Sequence, residues 1–406
     1  MLGHVSYDHA FVWVQLQQDA NVKLIYKKNE DKTTLWQGTQ AVSINSGTAF
    51  TNTFQLDELQ ANTSYIYQLI INEKETVESA AYHFKTPPLS NAENIDFNFA
   101  MGSCVYINDE GIAPKGGDYQ IFESIAQKNP NLMFWLGDNI YLHEKDWHSK
   151  QGIQYRYTHA RQLVEMRNLL VRSANYAIWD DHDYGPNDSD RSFIGKENAL
   201  EVFHEFWANP TQQINSMGAT VTSFSHADCD FFLLDNRYWR SPQKRVTGER
   251  TILGKEQADW LIDALCTSEA TFKFVAVGGL VLSSSFNVKN QNYISNYHEE
   301  RTYLLKEIEA NNIKNVIFLT GDKHFGELSK MINGRGNSIW EITSSPLTAS
   351  PNTREDNNSY RIPGSHIQQR NFAFLEIEGK RSERKIKLTF FDSDGKELWN
   401  HEIQQE

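Results

Sequence analysis

The first 86 residues contain short segments in which apolar and polar side chains alternate. Alternation with a period of two predicts β-strands that bury one face, and the absence of a helical period favours a small antiparallel sandwich. The predicted strands are 11–16, 22–27, 48–56, 65–71 and 81–85. Pro87 and Pro88 end the last strand, because proline cannot donate to a β-ladder. We therefore predict a domain boundary near residue 90, which divides the chain into 1–90 and 91–406.

From residue 94 the pattern changes to strongly apolar strands that alternate with helix-period segments. The predicted strands are 96–104, 131–138, 175–183, 231–237, 272–279 and 315–322, and the predicted helices are 119–127, 155–171, 197–207, 255–266 and 299–310. Such alternation is typical of a largely parallel, doubly wound α/β core with helices outside. After residue 337 the chain returns to strands, which we expect to form a second sheet against the first.

Composition and charge narrow the class of protein. The chain has 406 residues with 39% hydrophobic and 12% aromatic residues, which excludes a disordered chain. Its formal charge of −13 argues against a nucleic-acid scaffold or a membrane-surface role, although a local basic pocket remains compatible with it. No apolar run approaches the roughly 18 residues of a membrane helix. The three cysteines do not form a disulfide framework, and no obligate protein partner is evident.

Chemically active residues follow almost every predicted strand of the second region. In open α/β sheets, ligands bind beyond the carboxyl ends of the strands. The residues at these ends are Cys104, Asp138, Tyr141, the 180–183 run Asp-Asp-His-Asp, Asp235, Arg237, Asp322 and His324. Hard oxygen donors together with histidine and one thiol are the donors of a multinuclear metal site. The sequence therefore predicts a metal centre at this edge.

At these residues the chain resembles the alkaline phosphatase D metallophosphatases, relatives of the purple acid phosphatases and the calcineurin-like phosphoesterases. The motifs are GSC (102–104), GDNIY (137–141), WDDHDYGPND (179–188), LDNRYWR (234–240) and GDKH (321–324). The resemblance covers essentially the whole chain. It implies a fibronectin III-like N-terminal sandwich, in which Tyr65 or Tyr67 packs across the corner. It also implies a metallophosphoesterase core of two packed mixed sheets flanked by helices.

The resemblance implies a set of metal ligands. Asp138 is expected to bridge two metals, and Cys104 and Tyr141 are expected to bind Fe³⁺. Asp181 is expected to hold the second metal, Ca²⁺. The remaining ligands are expected to be Asp322 and His324, with the aspartate in place of a histidine. Other divalent metals such as Zn²⁺ or Mn²⁺ are alternatives.

The resemblance also implies catalytic and substrate-binding residues. His182 is expected to contact the phosphoryl oxygen or to protonate the leaving group. Asn187 is expected to be a further ligand or a transition-state donor. Arg237 is expected to clamp the phosphate, with a structural ion pair as the alternative. Asp180 and Asp183 are expected to orient their neighbours or cap a helix rather than bind metal.

The implied activity is hydrolysis of a small phosphate ester by a metal-bound hydroxide. We expect an alkaline phosphomonoesterase, with a phosphodiesterase acting on phospholipid head groups or nucleotides as the alternative. A non-catalytic phosphoester-binding relative is the alternative of another class. A periplasmic or secreted location is implied, with a signal removed before residue 1, and a cytoplasmic location is the alternative.

Two departures from the family pattern affect the expected site. The segment 275–287 has no histidine, although the wider superfamily places a histidine ligand there. The C-terminal residues also predict a hairpin, where the family tends to close the site with a helix. A site without that helix would be open to larger substrates or diesters.

Overall fold

The computed structural model describes residues 1–29, 35–75, 82–92, 95–117, 119–210, 217, 219–285 and 293–406. Its N-terminal strands are β1 Leu2–Val5, β2 Ala10–Gln15, β3 Ala20–Lys28, β4 Gln37–Gly38, β5 Val42–Ile44, β6 Thr51–Leu56, β7 Ser64–Ile71, β8 Lys74–Glu75 and β9 Tyr82–Lys85. Residue 81, the predicted start of the last strand, lies outside the described residues.

The N-terminal strands form two antiparallel sheets, as the alternating pattern predicts. One sheet has the order β1-β2-β6, and the other has the order β4-β3-β7-β8, with β5 on β3 and β9 on β7. Tyr65 occupies the corner position, because its hydroxyl accepts a hydrogen bond of 2.9 Å from the backbone N–H of Gln60. The likeness to a fibronectin III domain and the boundary near residue 90 stay predictions.

Two six-stranded mixed sheets form the rest of the molecule. Their strands are β10 Phe97–Gly102, β11 Leu132–Leu136, β12 Ala174–Ile178, β13 Thr222–His226, β14 Cys229–Leu233, β15 Phe272–Ala276, β16 Val316–Thr320, β17 Glu327–Ile332, β18 Ser338–Thr343, β19 Phe372–Glu378, β20 Lys385–Phe391 and β21 Glu397–Gln404. The first sheet has the order β12-β11-β10-β19-β20-β21, and the second has the order β13-β14-β15-β16-β18-β17. The α/β class with two packed mixed sheets is therefore confirmed.

The division of strands between the sheets differs from the prediction of one parallel sheet with a C-terminal sheet against it. The strands β10, β11 and β12 are parallel in one sheet, and β14, β15, β16 and β18 are parallel in the other. The strands after residue 337 are shared, since β18 pairs with β16 while β19 pairs with β10. The prediction was wrong because strand pairing is decided by long-range packing, which a local pattern does not record. The predicted C-terminal hairpin is confirmed as β20–β21.

The helices are α1 Gln120–Gln127, α2 Lys150–Arg161, α3 Arg167–Arg172, α4 Asp181–Tyr184, α5 Lys196–Phe206, α6 Lys255–Thr267, α7 Tyr293–Asn296 and α8 His298–Ala310. The single helix predicted over 155–171 is wrong, because the chain leaves α2 at Arg161 and restarts as α3. Val164 in the intervening turn is exposed, whereas Leu169 in α3 is buried. Within the described residues, no helix has both the length and the apolar character needed to span a bilayer.

The facing surfaces of the two sheets share an aromatic core. Phe99 of β10 packs edge-on against Phe274 of β15, with ring centroids 5.2 Å apart, and both side chains are fully buried. Phe134 stacks on Phe231 at 5.0 Å. Such close-packed interiors resist deformation. The core therefore holds the carboxyl ends of both sets of parallel strands in fixed positions.

Candidate metal centre

The carboxyl ends of β10, β11 and β16 carry four of the predicted ligands in strained backbone conformations. Cys104, Asp138, Asp322 and His324 have φ values of 61°, 51°, 66° and 59°, in the left-handed region. Non-glycine residues adopt this region at a cost and cluster there at functional sites. Hydrogen bonds between the strand ends hold the conformation, for example from the Cys104 N–H to the Gly137 carbonyl at 3.2 Å.

Five of the six predicted ligands, all except Tyr141, form three adjoining groups of metal-binding side chains together with Asp180 and His182. In each group, one donor atom from every residue lies within 4.8 Å of the others. The groups are Cys104–Asp138–His324, Asp138–Asp181–His182 and Asp180–Asp181–Asp322. Asp138 belongs to the first two groups and Asp181 to the last two. The arrangement is a continuous row of donors.

The Cys104 thiol and the Tyr141 phenol both contact the carboxylate of Asp138. The Tyr141 hydroxyl donates to Asp138 Oδ2 at 3.2 Å, and Cys104 Sγ lies 3.5 Å from the same oxygen. Burial raises the pKa of the Cys104 thiol well above its usual value, and the Asp138 charge raises it further. Burial likewise raises the pKa of the Tyr141 phenol, together with the Cys104 and Asp138 charges. Without a cation, this corner of the site favours the protonated forms.

Burial and neighbouring negative charge also act on the carboxylates. Burial raises the pKa of Asp138 well above its usual value, and the charge of Asp181 adds to the effect. Burial raises the pKa of Asp181, but the charges of Arg237 and His182 and the backbone N–H of Asp188 together hold it below the usual value. Arg237 Nη2 lies 3.3 Å from Asp181 Oδ1. Closely spaced carboxylates stay ionised together only when positive charge lies between them.

Asp180 has one satisfied and one unsatisfied oxygen. Its Oδ1 accepts from Asn236 Nδ2 at 2.8 Å and pairs with the guanidinium of Arg237. Its Oδ2 is buried and has no hydrogen-bond partner among the described residues. The backbone N–H of Asp180 donates to Asp183 Oδ2 at 3.0 Å, which begins α4. Asp180 was expected only to orient or cap, yet its side chain also belongs to the third group of donors.

Arg237 is only 1% exposed, and its described partners are protein groups. Its guanidinium contacts the carboxylates of Asp180 and Asp181, and its Nη1 also donates to the Ser189 carbonyl at 3.2 Å. Asp235 accepts the Arg237 backbone N–H at 2.8 Å. These contacts are those of the structural ion pair, and the phosphate clamp stays a prediction.

His182 lies in an aromatic stack beside the donors. Its ring centroid is 4.2 Å from that of Tyr141, and the Tyr106 ring follows at 4.9 Å from Tyr141. The backbone N–H of His182 donates to Asp138 Oδ1 at 3.3 Å. Asn187 is exposed in the turn after α4, one residue before Asp188. The structure brings His182 into a donor group, whereas no described contact joins Asn187 to a predicted ligand.

His324 is oriented by the backbone. Its Nδ1 lies 2.5 Å from the Ser350 carbonyl, and burial lowers its pKa. A neutral ring that donates from Nδ1 keeps the lone pair of Nε2 available for a metal. Asp322 pairs with Lys323, whose Nζ lies 2.5 Å from Oδ2. A lysine thus partly neutralises the outer carboxylate.

Several residues around the centre were missed from the sequence. Asn236 is buried against Asp180, and the Ser345 hydroxyl donates to Cys104 Sγ at 3.2 Å. Asn139 Nδ2 donates to the Ile178 carbonyl at 2.8 Å and its backbone N–H to Asp183. Asn139 lies in the motif GDNIY and Asn236 in the motif LDNRYWR. Their positions within these motifs could therefore have identified them from the sequence. Ser345 is 241 residues from Cys104, and no local pattern indicates that contact.

The donor set fits a pair of metals. Thiol, phenol and imidazole suit a transition metal such as ferric iron, whereas a group of three carboxylates suits a hard cation such as calcium. The unpartnered Oδ2 of Asp180 is an additional observation, since a buried carboxylate oxygen without a partner is costly. The residues present are therefore suited to metal binding.

Comparison with known proteins agrees with this geometry. Alkaline phosphatase D from Bacillus subtilis is 24% identical over 317 residues, which cover 66% of this chain and 52% of that protein. The chain thus spans about half the length of this curated relative. The solved structure of PhoD superposes on the whole chain and 89% of its own with a TM-score of 0.81 and 18% identity.

The purple acid phosphatase PPD1 from yellow lupin (Lupinus luteus) shares the fold. It superposes on the whole chain and 74% of its own with a TM-score of 0.73 and 14% identity. Residues 99–389 match the PhoD-like phosphatase family, which includes every predicted ligand. The expected relation to alkaline phosphatase D and the purple acid phosphatases is confirmed, and the chain belongs to the PhoD-like phosphatase family.

Proposed function

We propose that the protein is a metal-dependent phosphoester hydrolase, acting chiefly as an alkaline phosphomonoesterase. The observation that carries the proposal is the row of three donor groups joined through Asp138 and Asp181. Membership of the family supports it. A protein that only binds phosphoesters would not require such a continuous set of buried and partly buried donors.

The row divides into two metal positions. Cys104, Asp138, Tyr141 and His324 would hold Fe³⁺, because anionic thiolate and phenolate donors suit a trivalent ion. Ca²⁺ would be held by the carboxylates of Asp180, Asp181 and Asp322, with Asp138 shared; Zn²⁺ and Mn²⁺ are the alternatives. Bound metals supply Lewis acidity, which lowers the pKa of a water and withdraws charge from phosphoryl oxygens.

The protein side chains position the reacting groups. His182 is partly exposed and packed on Tyr141, so its imidazole can reach a bound ester and give a proton to the leaving oxygen. Arg237 keeps Asp181 ionised and oriented, and we retain the phosphate clamp as its second role. Asn187, on the exposed turn beside Asp188, would contact phosphoryl oxygens from the solvent side.

Diester hydrolysis is the second candidate. The specific observation is that residues 385–404 pair as the β20–β21 hairpin, at the place where the family tends to have a helix over the site. Turnover of p-nitrophenyl phosphate should exceed that of bis(p-nitrophenyl) phosphate if monoesters are preferred. Faster turnover of bis(p-nitrophenyl) phosphate would reject the monoesterase proposal in favour of the diesterase. We also propose export to the periplasm or medium, which fractionation of source cells tests.

The first experiment measures the metals of the purified protein. We expect iron and calcium together with a visible charge-transfer band from thiolate or phenolate to iron. Cys104→Ser or Tyr141→Phe should remove or shift that band. Zinc, or iron without the band, would keep the hydrolase but reject these iron ligands.

The second experiment removes the shared carboxylate. Asp138→Asn should lower kcat/KM for p-nitrophenyl phosphate about 10³-fold, since several kcal/mol of metal stabilisation are lost. Asp263→Asn changes an exposed carboxylate of α6 and is the matched control. Absence of turnover in wild type after adding iron and calcium would reject catalysis and favour the binding relative.

A further inference from the structure

Two loops beside the metal centre run next to each other. They are residues 189–195, which follow the turn after α4, and residues 238–254, which precede α6. The Arg191 N–H donates to the Arg240 carbonyl at 2.9 Å. Both loops line one surface cavity of about 380 Å³, whose walls include Arg191, Trp239 and Arg245. They adjoin the centre directly, because Ser189 accepts a hydrogen bond from Arg237.

These loops carry basic residues in an acidic protein. Residues 189–197, which include the first two residues of α5, and residues 238–251 contain six basic and three acidic residues, whereas the whole chain has a formal charge of −13. One of the six, Arg240, is buried. The other five make no ion pair with a described carboxylate: Arg191, Lys196, Lys244, Arg245 and Arg250. We call these five, with Ile194 and Val246, the basic rim.

The described contacts of the rim leave its positive charge uncompensated. Arg245 Nε donates to the Thr247 carbonyl at 2.7 Å, and Arg250 Nη2 donates to the Gln243 carbonyl at 2.7 Å. Lys196 Nζ lies 4.2 Å from the Tyr238 ring centroid.

The acidic residues of the loops have their own tasks. The Asp190 carboxylate accepts from Ser192, and the Glu197 carboxylate accepts from the Tyr238 hydroxyl. Glu249 lines the cavity. The basic rim therefore presents net positive charge to its surroundings.

The rim also carries the two most exposed large apolar side chains of the described residues. Ile194 is 98% exposed and Val246 is 91% exposed. Each lies in the same loop as a rim arginine, Arg191 or Arg245. A soluble polyanion would use the cations and gain nothing from aliphatic tips, whereas a lipid surface uses both.

We propose that the basic rim docks the protein on an anionic lipid bilayer. The cations contact lipid phosphates, and Ile194 and Val246 insert into the interface. Charge complementarity selects this face, because the remainder of the acidic chain is repelled by the same surface. Docking does not depend on the proposed hydrolysis, and it would bring lipid-borne phosphoesters to the adjoining metal centre.

The test is sedimentation of the full-length protein with sucrose-loaded vesicles of phosphatidylcholine, with or without 30% phosphatidylglycerol. We expect binding to the anionic vesicles at 50 mM NaCl, at least tenfold weaker binding at 300 mM NaCl, and at least tenfold weaker binding to neutral vesicles. The salt dependence arises because dissolved ions screen the attraction between the basic residues and the anionic surface.

Two double variants separate charge from insertion. Lys244→Glu with Arg245→Glu should weaken anionic-vesicle binding at least tenfold. Its control, Lys23→Glu with Lys314→Glu, makes the same charge change at exposed lysines elsewhere and should change binding less than threefold. Ile194→Ser with Val246→Ser should weaken binding about fivefold, against Val164→Ser with Ile332→Ser as the exposed apolar control.

Three outcomes would overturn docking. The first is no binding to anionic vesicles by the folded wild type, and the second is equal loss in rim and control variants. The third combines two results: Ile194→Ser with Val246→Ser leaves vesicle binding unchanged, and long-chain polyphosphate competes fully with the vesicles. That combination would assign the rim to a soluble polyanion. Turnover of p-nitrophenyl phosphate, measured in the same preparations, distinguishes failure of docking from failure of the proposed function.

Discussion

Two buried arginine–aspartate pairs lie at opposite ends of the parallel strands. Arg237 pairs with Asp180 at the carboxyl end of β12, and Arg384 pairs with Asp228 before the amino end of β14. All four side chains are almost fully buried, between 0% and 3% exposed. The two pairs have the same chemistry, so their surroundings decide what each can do.

The carboxylate of the amino-end pair is satisfied by its neighbours. Arg384 donates to Asp96, to the carbonyls of Gly379 and Ile95, and to Asp228 Oδ1, while Thr271 donates to Asp228 Oδ2 at 2.7 Å. Both oxygens of Asp228 therefore have partners. Among the described residues, Arg384 Nε is the atom of this pair that lacks a hydrogen-bond partner. The pair therefore contributes to the fold and offers no free carboxylate oxygen to a cation.

The carboxyl-end pair is outnumbered by carboxylates. Arg237 faces both Asp180 and Asp181, and Asp322 belongs to the same donor group. Asp180 Oδ2 has no partner among the described residues. The comparison teaches that a buried ion pair indicates a cation site when a buried carboxylate oxygen is left without a partner, as at Asp180 and not at Asp228.

The largest expected effect is on stability, at the amino end. Arg384→Met should lower the free energy of unfolding by about 3–5 kcal/mol, because it leaves Asp228 buried and unpaired. Chemical denaturation measures the change, and kcat per folded molecule should remain that of wild type. Arg381→Met, at an exposed arginine three residues earlier, is the control. If Arg384→Met lowered kcat without lowering the free energy of unfolding, the two ion pairs would not differ in role as proposed.

The second effect concerns acid stability between the N-terminal sheet and the core. Burial lowers the pKa of His4 to about 3 and that of His226 to about 4. Below pH 6.5 these two histidines are protonated in the unfolded chain but stay neutral in the folded protein. The free energy of unfolding therefore falls as the pH falls from 6.5 toward 3. Each histidine accounts for about 3 kcal/mol between pH 7 and pH 4.

His4→Gln removes one of these groups and keeps a polar atom near the Tyr176 hydroxyl, which lies 3.1 Å from His4 Nδ1. We expect the loss of stability between pH 7 and pH 4 to shrink by about 3 kcal/mol. Urea unfolding at both pH values measures this. An unchanged pH dependence would show that His4 is not buried as the neutral form.

The third effect is catalytic and uses the other arginine. Arg237→Met should lower kcat about 100-fold, because residues that orient metal ligands typically contribute 10–100-fold. A positioning role predicts that the content of the calcium-type metal falls with kcat while KM changes little. A phosphate clamp predicts full metal content, a raised KM and weaker inhibition by inorganic phosphate. Metal analysis with steady-state kinetics decides between the two.

The sequence indicated which polar residues follow the strands, but it did not indicate how the strands pair into sheets. The strand ends could be read because a periodic apolar run stops at a polar residue, as it does before Asp138 and Asp322. Sheet membership could not be read, since β10 and β19 pair across more than 270 residues. The pairing of Asp180 with Arg237 was also invisible, because two residues 57 positions apart show no local pattern. Long-range contacts thus account for most of what was missed.

The smallest effect tests how closely the carboxyl end is packed. A Cβ at Gly278 would clash with Asn236 Nδ2 and lie 2.9 Å from Asp180 Oδ2, whereas a Cβ at Gly279 would meet nothing within 4 Å. Gly278→Ala should therefore displace Asp180 and lower kcat/KM about tenfold, the size of a mild overpacking penalty. Gly279→Ala is the neighbouring control and should retain wild-type kinetics. Equal kinetics in both variants would mean that Asp180 can move without consequence, and its oxygen would then be no part of the metal centre.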